Sequence, residues 1–339
     1  MSGMSLRKLT LAAAVATIAA TGAQAQEASL ILATLTPADN PASVELYRPW
    51  AQRVEAASNG TLRIDVRDGA AIANLANAPD RLDQDVIQVT EIIPASHPGK
   101  MPLTEIAGLP LIAKNGEIAA VAMWRLYKTG LLDAELKNYV PLWFHTFGIS
   151  GIHLAKEPPS VTDLRGLKIS ISNKIQSDTI SDLGGAPLFF SPPDVYEAIN
   201  RGTVAGVITS LNTFPLWRYA EVTTFHIDVA FSTPTSIFAM TRKRYDALPA
   251  AARAAIDGIS GEELSRRAGK SYDRQNQEQH DIVAKGKGQT IVALDAAQER
   301  VWREKTAPIA DDWVKSHPGG GDKVLSTYRA LVAAVEAGK

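Results

Sequence analysis

The chain has 339 residues, 45% of them hydrophobic and 21% charged, with 35 Lys and Arg against 36 Asp and Glu. That length suffices for two domains with cores of their own, and a net charge of −1 gives no electrostatic basis for nucleic-acid binding. The absence of cysteine excludes disulfides, thiol chemistry and cysteine-ligated metals.

Arg7 and Lys8 precede an apolar run over 9–20, and Ala23-Gln24-Ala25 supplies a small-x-small cleavage site. These are the three parts of a secretory signal peptide. Residues 1–25 are expected to be removed and the product to be a free periplasmic protein. Loss of Arg7 and Lys8 takes the net charge to −3.

A buried strand is predicted over 29–34 and a helix over 43–57, whose apolar stripe includes Val44, Tyr47, Ala51 and Val54. Asn59-Gly60 turns the chain into a strand over 61–66. A small-residue loop over 69–77 leads to a short helix over 79–85 and a strand over 86–93. An amphipathic helix follows over 116–127, then extended segments over 139–147 and 152–154. Next come a strand over 168–171, a helix over 174–183 stopped by Gly184-Gly185, and an extended stretch over 186–190. Pro192-Pro193-Asp194 opens another helix, Gly202 ends it, and 204–208 is a buried strand. The remainder reads as a strand over 233–240, helix over 250–285, a strand over 289–292, and helices over 295–316 and 324–337.

Strands alternating with helices predict an α/β fold with parallel pairing and crossover connections. With no tandem repeat and no long linker, the domain boundary falls where strands cross between lobes. Residues 147–151 and 232–235 are the expected crossings. They divide the chain into 26–148 plus 236–285 as one lobe, and 149–235 plus 286–339 as the other.

No catalytic constellation stands out. The six histidines, at 97, 145, 153, 226, 280 and 317, form no HExxH pair and show no metal-ligand spacing, so they are read as surface or packed side chains. Gly148-Ile149-Ser150-Gly151 is not a nucleophile elbow. No metal and no cofactor are expected. Ligands in sheets of this kind sit beyond the carboxyl ends of strands. On that rule Thr34, Glu91, Ser170, Ser172, Phe190, Asn212 and Trp217 are candidate binding residues, joined by Phe147 and Thr235 at the crossings. Strand alternation turns Phe189 the other way, into the core. Glu91 either faces the ligand, or turns outward or pairs with a lysine such as Lys100.

One block carries a specific resemblance. It reads Asp163-Leu164-Arg165-Gly166-Leu167-Lys168-Ile169, then Leu183-Gly184-Gly185-Ala186-Pro187, then Tyr196-Glu197-Ala198-Ile199 and Gly202-Thr203-Val204. In order and spacing it resembles the solute-binding proteins of TRAP transporters, the tripartite ATP-independent periplasmic carriers. Further matches are Arg53 to Leu62, the strand 86–89, Leu109-Pro110 and Leu248-Pro249. The resemblance implies the two-lobed type II periplasmic-binding architecture. It also implies capture of a small organic solute in the interlobe cleft by hinge closure, and delivery to TRAP membrane permease subunits by a mostly monomeric protein. Two departures matter: Ser170 stands where the family has an arginine that pairs with ligand carboxylate, and Ala205 where it has an aspartate. The first argues against a carboxylate held in a bidentate clamp, unless Arg201 or Arg218 reaches the cleft instead. A sensory ligand-presenting protein, or a periplasmic enzyme with an inconspicuous site, remain the alternative readings.

Overall fold

The computed structural model describes residues 28–232 and 234–339. The expected signal peptide lies outside them. Among the described residues no helix is long and apolar enough to cross a membrane.

The first half of the chain runs β1 (Ala28–Ala33), a π-turn at Ser43–Tyr47 leading into α1 (Arg48–Ala57), β2 (Leu62–Arg67), α2 (Ala78–Asp83) and β3 (Val89–Ile92). It continues through α3 (Gly116–Lys128), α4 (Asp133–Leu136) and β4 (Tyr139–Thr146). Then follow β5 (Ser150–Leu154), β6 (Lys168–Ile171), α5 (Lys174–Asp182), β7 (Ala186–Phe189), α6 (Pro192–Asn200), β8 (Gly206–Ser210) and α7 (Phe214–Trp217). The remainder is β9 (Phe225–Ser232), β10 (Thr235–Thr241), α8 (Arg242–Asp246), α9 (Ala250–Ile259), α10 (Glu262–Ala284), β11 (Thr290–Ala293), α11 (Ala296–Ser316) and α12 (Gly321–Glu336).

Two sheets result. The first has the order β2-β1-β3-β10-β4 and the second β11-β9-β5-β8-β6-β7. β1 pairs in parallel with β2 and β3, whereas β10 is antiparallel to both β3 and β4. In the second sheet β6 is parallel to β7 and β8, and β5 is antiparallel to β8 and β9. Each pair of mixed neighbours includes a strand that has just crossed from, or is about to cross to, the other lobe.

β3, β10 and β4 are buried on both faces, and the Leu30–Ala33 part of β1 beside them is continuously apolar, whereas the edge strand β2 alternates buried and exposed residues. Along β10 the side chains alternate. Ile237 and Ala239 join the core built with α3 and α12, while Phe238 and Met240 join the core built with α1 and α9. Trp143 stacks on Phe238 at 4.1 Å between ring centroids, and Tyr47 on the same ring at 4.7 Å. The second sheet has its own cores, one around Ile152, Ile169, Ile208 and Trp302 and one around Val195, Val207 and Phe214.

The chain passes between the two sheets after β4, which ends at Thr146, and again between β9, which ends at Ser232, and β10, which begins at Thr235. Gly148 has φ +81°, a conformation that glycine adopts without penalty. A third passage follows α10, which packs on α3 and β4 of the first lobe and touches the second lobe at its far end. The division expected for the carboxyl-terminal part needs correction. α11 spans the lobes, with Trp302 in the second core and Ile309, Ala310 and Trp313 in the first, while α12 packs on α3 of the first lobe. Its apolar face, Val324, Leu325, Tyr328 and Val332, matches the surface α3 leaves open.

Two other sequence readings also change. The helix expected over 250–285 is broken at Gly261, whose φ is +102°, and the strand Phe225–Ser232 was missed. His226 and Asp228 interrupt the apolar pattern of that strand.

Candidate functional site

A cavity of about 170 Å³ lies between the two sheets. Its walls come from the carboxyl ends of parallel strands on both sides, as expected for open α/β sheets. The first lobe contributes Ile93, just beyond β3, with Leu75, Ala95 and Ser96. The second contributes Ser170 and Ile171 at the end of β6, Phe190 beyond β7, and Ile208, Thr209 and Ser210 at the end of β8. Phe147 and Pro234 line it from the crossings. A larger hollow of about 410 Å³ opens between Leu111, α11 and α12. It lies on the backs of helices, walled by exposed residues such as Arg329 and Glu336, so the interlobe cavity is the candidate site.

Of the residues expected from sequence, Phe147, Ser170, Ser172, Phe190 and Trp217 line the cavity. Four do not. The Thr34 hydroxyl donates to Thr36 O and Asp68 Oδ1 inside the first lobe. Asn212 is drawn aside, because its Oδ1 accepts from Ser210 Oγ and its backbone N–H is 3.4 Å from Asn276 Oδ1. Thr235 is buried in β10 opposite Thr146.

Glu91 is the main correction. Its carboxylate is 3% exposed and neither faces the cavity nor turns outward. Oε1 lies 2.8 Å from His145 Nε2 and accepts from Ser236 Oγ at 2.6 Å. β3, β10 and β4 are neighbours, and their register sets Glu91 beside Phe238 and Ser236 beside His145. Lys100 is committed to Asp80 at 3.0 Å. Phe189, expected in the core, is 69% exposed; β7 is the sheet's edge strand.

The polar wall is built by α5. Asn173 caps the helix, its Oδ1 accepting from Gln176 N–H at 2.9 Å. Gln176 Oε1 accepts from both Ser172 N–H (2.8 Å) and Ser172 Oγ (2.9 Å). Ser150 and Ser170, both buried, present hydroxyls from β5 and β6. The aromatic wall is Phe147, Phe190, Trp217 and Tyr219. The Tyr219 hydroxyl donates to Pro192 O at 3.0 Å, which ties the loop after α7 to the start of α6.

Beneath the cavity two histidines meet. His153 Nδ1 and His226 Nδ1 are 3.0 Å apart, His153 Nε2 lies 3.1 Å from Thr209 O, and His226 Nε2 lies 2.7 Å from Gln289 Oε1. Thr209 O can only accept, so His153 carries its proton on Nε2. Burial, with the second imidazole beside it, pushes His153 down to about 3. Burial also lowers His226. His153 is therefore uncharged near neutral pH. Among the described residues no three His, Asp or Glu side chains converge as a metal-ligand set.

Reading the sequence also missed Ser150, Thr209, Ser210, Gln176 and Tyr219. Thr209 and Ser210 were recoverable from the rule about strand ends; the predicted strand stopped two residues early. Ser150 falls within the crossing expected over 147–151, and it opens β5.

The profile of bacterial extracellular solute-binding protein family 7 (DctP) matches residues 32–316. The chain belongs to that family. A curated relative from Comamonas testosteroni, the outer membrane transporter protein TsaT, is 25% identical over 340 residues, spanning 97% of this chain and 98% of its own length. Among solved structures, a TRAP solute-binding protein from Rhodoferax ferrireducens with copurified benzoate superposes with a TM-score of 0.81 at 24% identity, over 91% of this chain and 98% of that one. A marine metagenome TRAP solute-binding protein specific for aromatic acid ligands, crystallised with 3-hydroxybenzoate, gives 0.83 at 21% identity, over 91% and 99%. The two-lobed TRAP solute-binding fold and the capture of a small organic solute follow from this membership.

Proposed function

We propose that this family 7 protein captures a small ring-bearing solute between its lobes and hands it to TRAP permease subunits in the membrane. The observation that carries this reading is the convergence of Phe147, Phe190, Trp217 and Tyr219 on one small cavity at the strand ends. Four aromatic side chains offer a flat apolar ring large contact areas and favourable ring-on-ring geometries. The cavity is smaller than the roughly 300–1,000 Å³ of drug-sized sites, which suits a single ring with a short head group. The two structural relatives described above carry single-ring solutes, which supports the ring. The exported, mostly monomeric state with cleavage after Ala25, and a role in binding rather than turnover, belong to the same reading.

A thermal-shift screen of single-ring and open-chain metabolites tests it. A ligand at 100 times its Kd adds about 2.7 kcal/mol of stability. Stabilisation confined to open-chain compounds, or a Trp217→Ala variant that binds the best ring compound as tightly as the parent, defeats it.

A further inference from the structure

Building on the ring-bearing reading, we propose that the solute is uncharged and that its head group accepts hydrogen bonds, as a carboxamide or ketone does, with Ser170 reading that group. No Arg, Lys, His, Asp or Glu lines the cavity among the described residues. Lys168, two positions before Ser170, is exposed at the start of β6, and three other cations of the second lobe are engaged on its outside. Lys174 Nζ holds both oxygens of Asp178, at 2.7 and 2.8 Å. Arg218 grips Glu221 through two parallel hydrogen bonds of 2.7 Å. Arg201 pairs with Glu197 one helical turn away. Glu91 is sealed against His145 and Ser236, so the cavity has no anion for a cationic solute either. His153, beneath Thr209, is uncharged, and His226 lies behind it, outside the cavity lining. A carboxylate enclosed here loses its water and gains no counter-charge, the most costly kind of burial.

The direction of the hydrogen bonds follows from which atoms the protein already uses. The carboxamide oxygens of Asn173, Gln176 and Asn212 are spent on protein donors. Of the amides lining the cavity, Asn173 and Gln176, what remains is NH₂. The hydroxyls of Ser150 and Ser170 have no protein partner among the described residues, and both residues line the cavity. The wall is thus rich in donors, and a carbonyl oxygen on the solute answers it.

Titration calorimetry of the purified protein at pH 7.5 with benzamide and benzoate tests this, since the two share size and shape. Benzamide is expected to bind at least about tenfold more tightly, a difference of roughly 1.4 kcal/mol. Ser170→Ala is expected to weaken benzamide and leave benzoate as poor as before. Ser170→Arg is expected to invert the preference. Benzoate binding as well as or better than benzamide to the unaltered protein overturns the uncharged assignment and leaves the ring-bearing reading standing. Binding of neither at millimolar concentration, with an open-chain solute captured instead, overturns both. The comparison of the two solutes on the unaltered protein decides the matter even if a variant fails to fold.

Discussion

Glu91 shows how a single side chain changes meaning between sequence and structure. At a strand end and among isoleucines it has the signature of a cleft residue. In the fold it is an internal acceptor for His145 and Ser236, and the ring of Tyr272 stacks on His145 at 5.1 Å. Glu91→Gln is therefore expected to leave solute affinity within about threefold, roughly 0.7 kcal/mol. The same change should lower unfolding stability by about 1–3 kcal/mol, because a buried partner is lost. Parallel calorimetry and urea denaturation separate the two effects. The histidine pair makes a second prediction. His153 is held near 3 in the folded protein and returns to about 6.5 when unfolded. Below 6.5 the unfolded chain takes up a proton that the folded one refuses. The stability present above pH 6.5 is therefore lost progressively as pH falls toward 3. Between pH 6.5 and 5 this residue alone accounts for about 2 kcal/mol. Urea midpoints at pH 7.5 and 5 should draw closer together in His153→Gln, and an unchanged gap would refute the assignment. None of this pairing was legible in the sequence, since His145 and Glu91 are 54 positions apart and His153 and His226 are 73 apart. Only sheet order brings them together.

At the scale of elements the sequence was more informative. The block from β6 to β8 announced itself through local signals: the stop at Gly184-Gly185, prolines opening α6, and Gly202 closing it. Five cavity residues followed from strand ends and crossings alone. What local pattern could not give was the partner of each helix. α12 packs on α3 because of the shape α3 presents, and α11 joins both lobes although Pro308 interrupts its backbone hydrogen bonding. α10 and α3 approach so closely that a Cβ on Gly269 would meet Glu117 Cα at 2.5 Å and Gly116 O at 2.6 Å. Gly269→Ala should force these helices apart and cost about 1–3 kcal/mol, as overpacking does. Denaturant midpoints measure it; a shift below about 0.5 kcal/mol, the usual range for a surface substitution, would mean the helices yield freely.

For the molecule as a whole, the cavity lies between bodies joined by two short crossings and two helices that reach both. The cavity is lined from both lobes, so a solute bound there favours the arrangement that brings them together, provided that the closed form binds better than the open one. Small-angle scattering should show compaction when saturating solute is added. Identical profiles with and without solute would refute ligand-driven closure. Phe147 N–H lies 3.4 Å from Pro234 O, so the two crossings touch each other. They are expected to bend as one unit, with Gly148 absorbing the change in backbone angle.

The place of β10 carries a consequence for how the protein is born. It lies between β3 and β4 and is hydrogen-bonded to both, yet it is synthesised after more than two-thirds of the chain. Until it emerges, β4 has no neighbour in its sheet and β3 has one open edge. The first lobe's core cannot close on a nascent chain, however early its other strands appear. Assembly must wait for a partner more than 140 positions downstream of β3, which makes folding slow compared with chains of local topology. For a protein passed through a membrane pore in order of synthesis, that delay is useful, because an open chain is what the pore accepts. A fragment ending at residue 234 should accordingly lack a cooperative unfolding transition, and a fragment that melts sharply would show that the first lobe closes without its central strand.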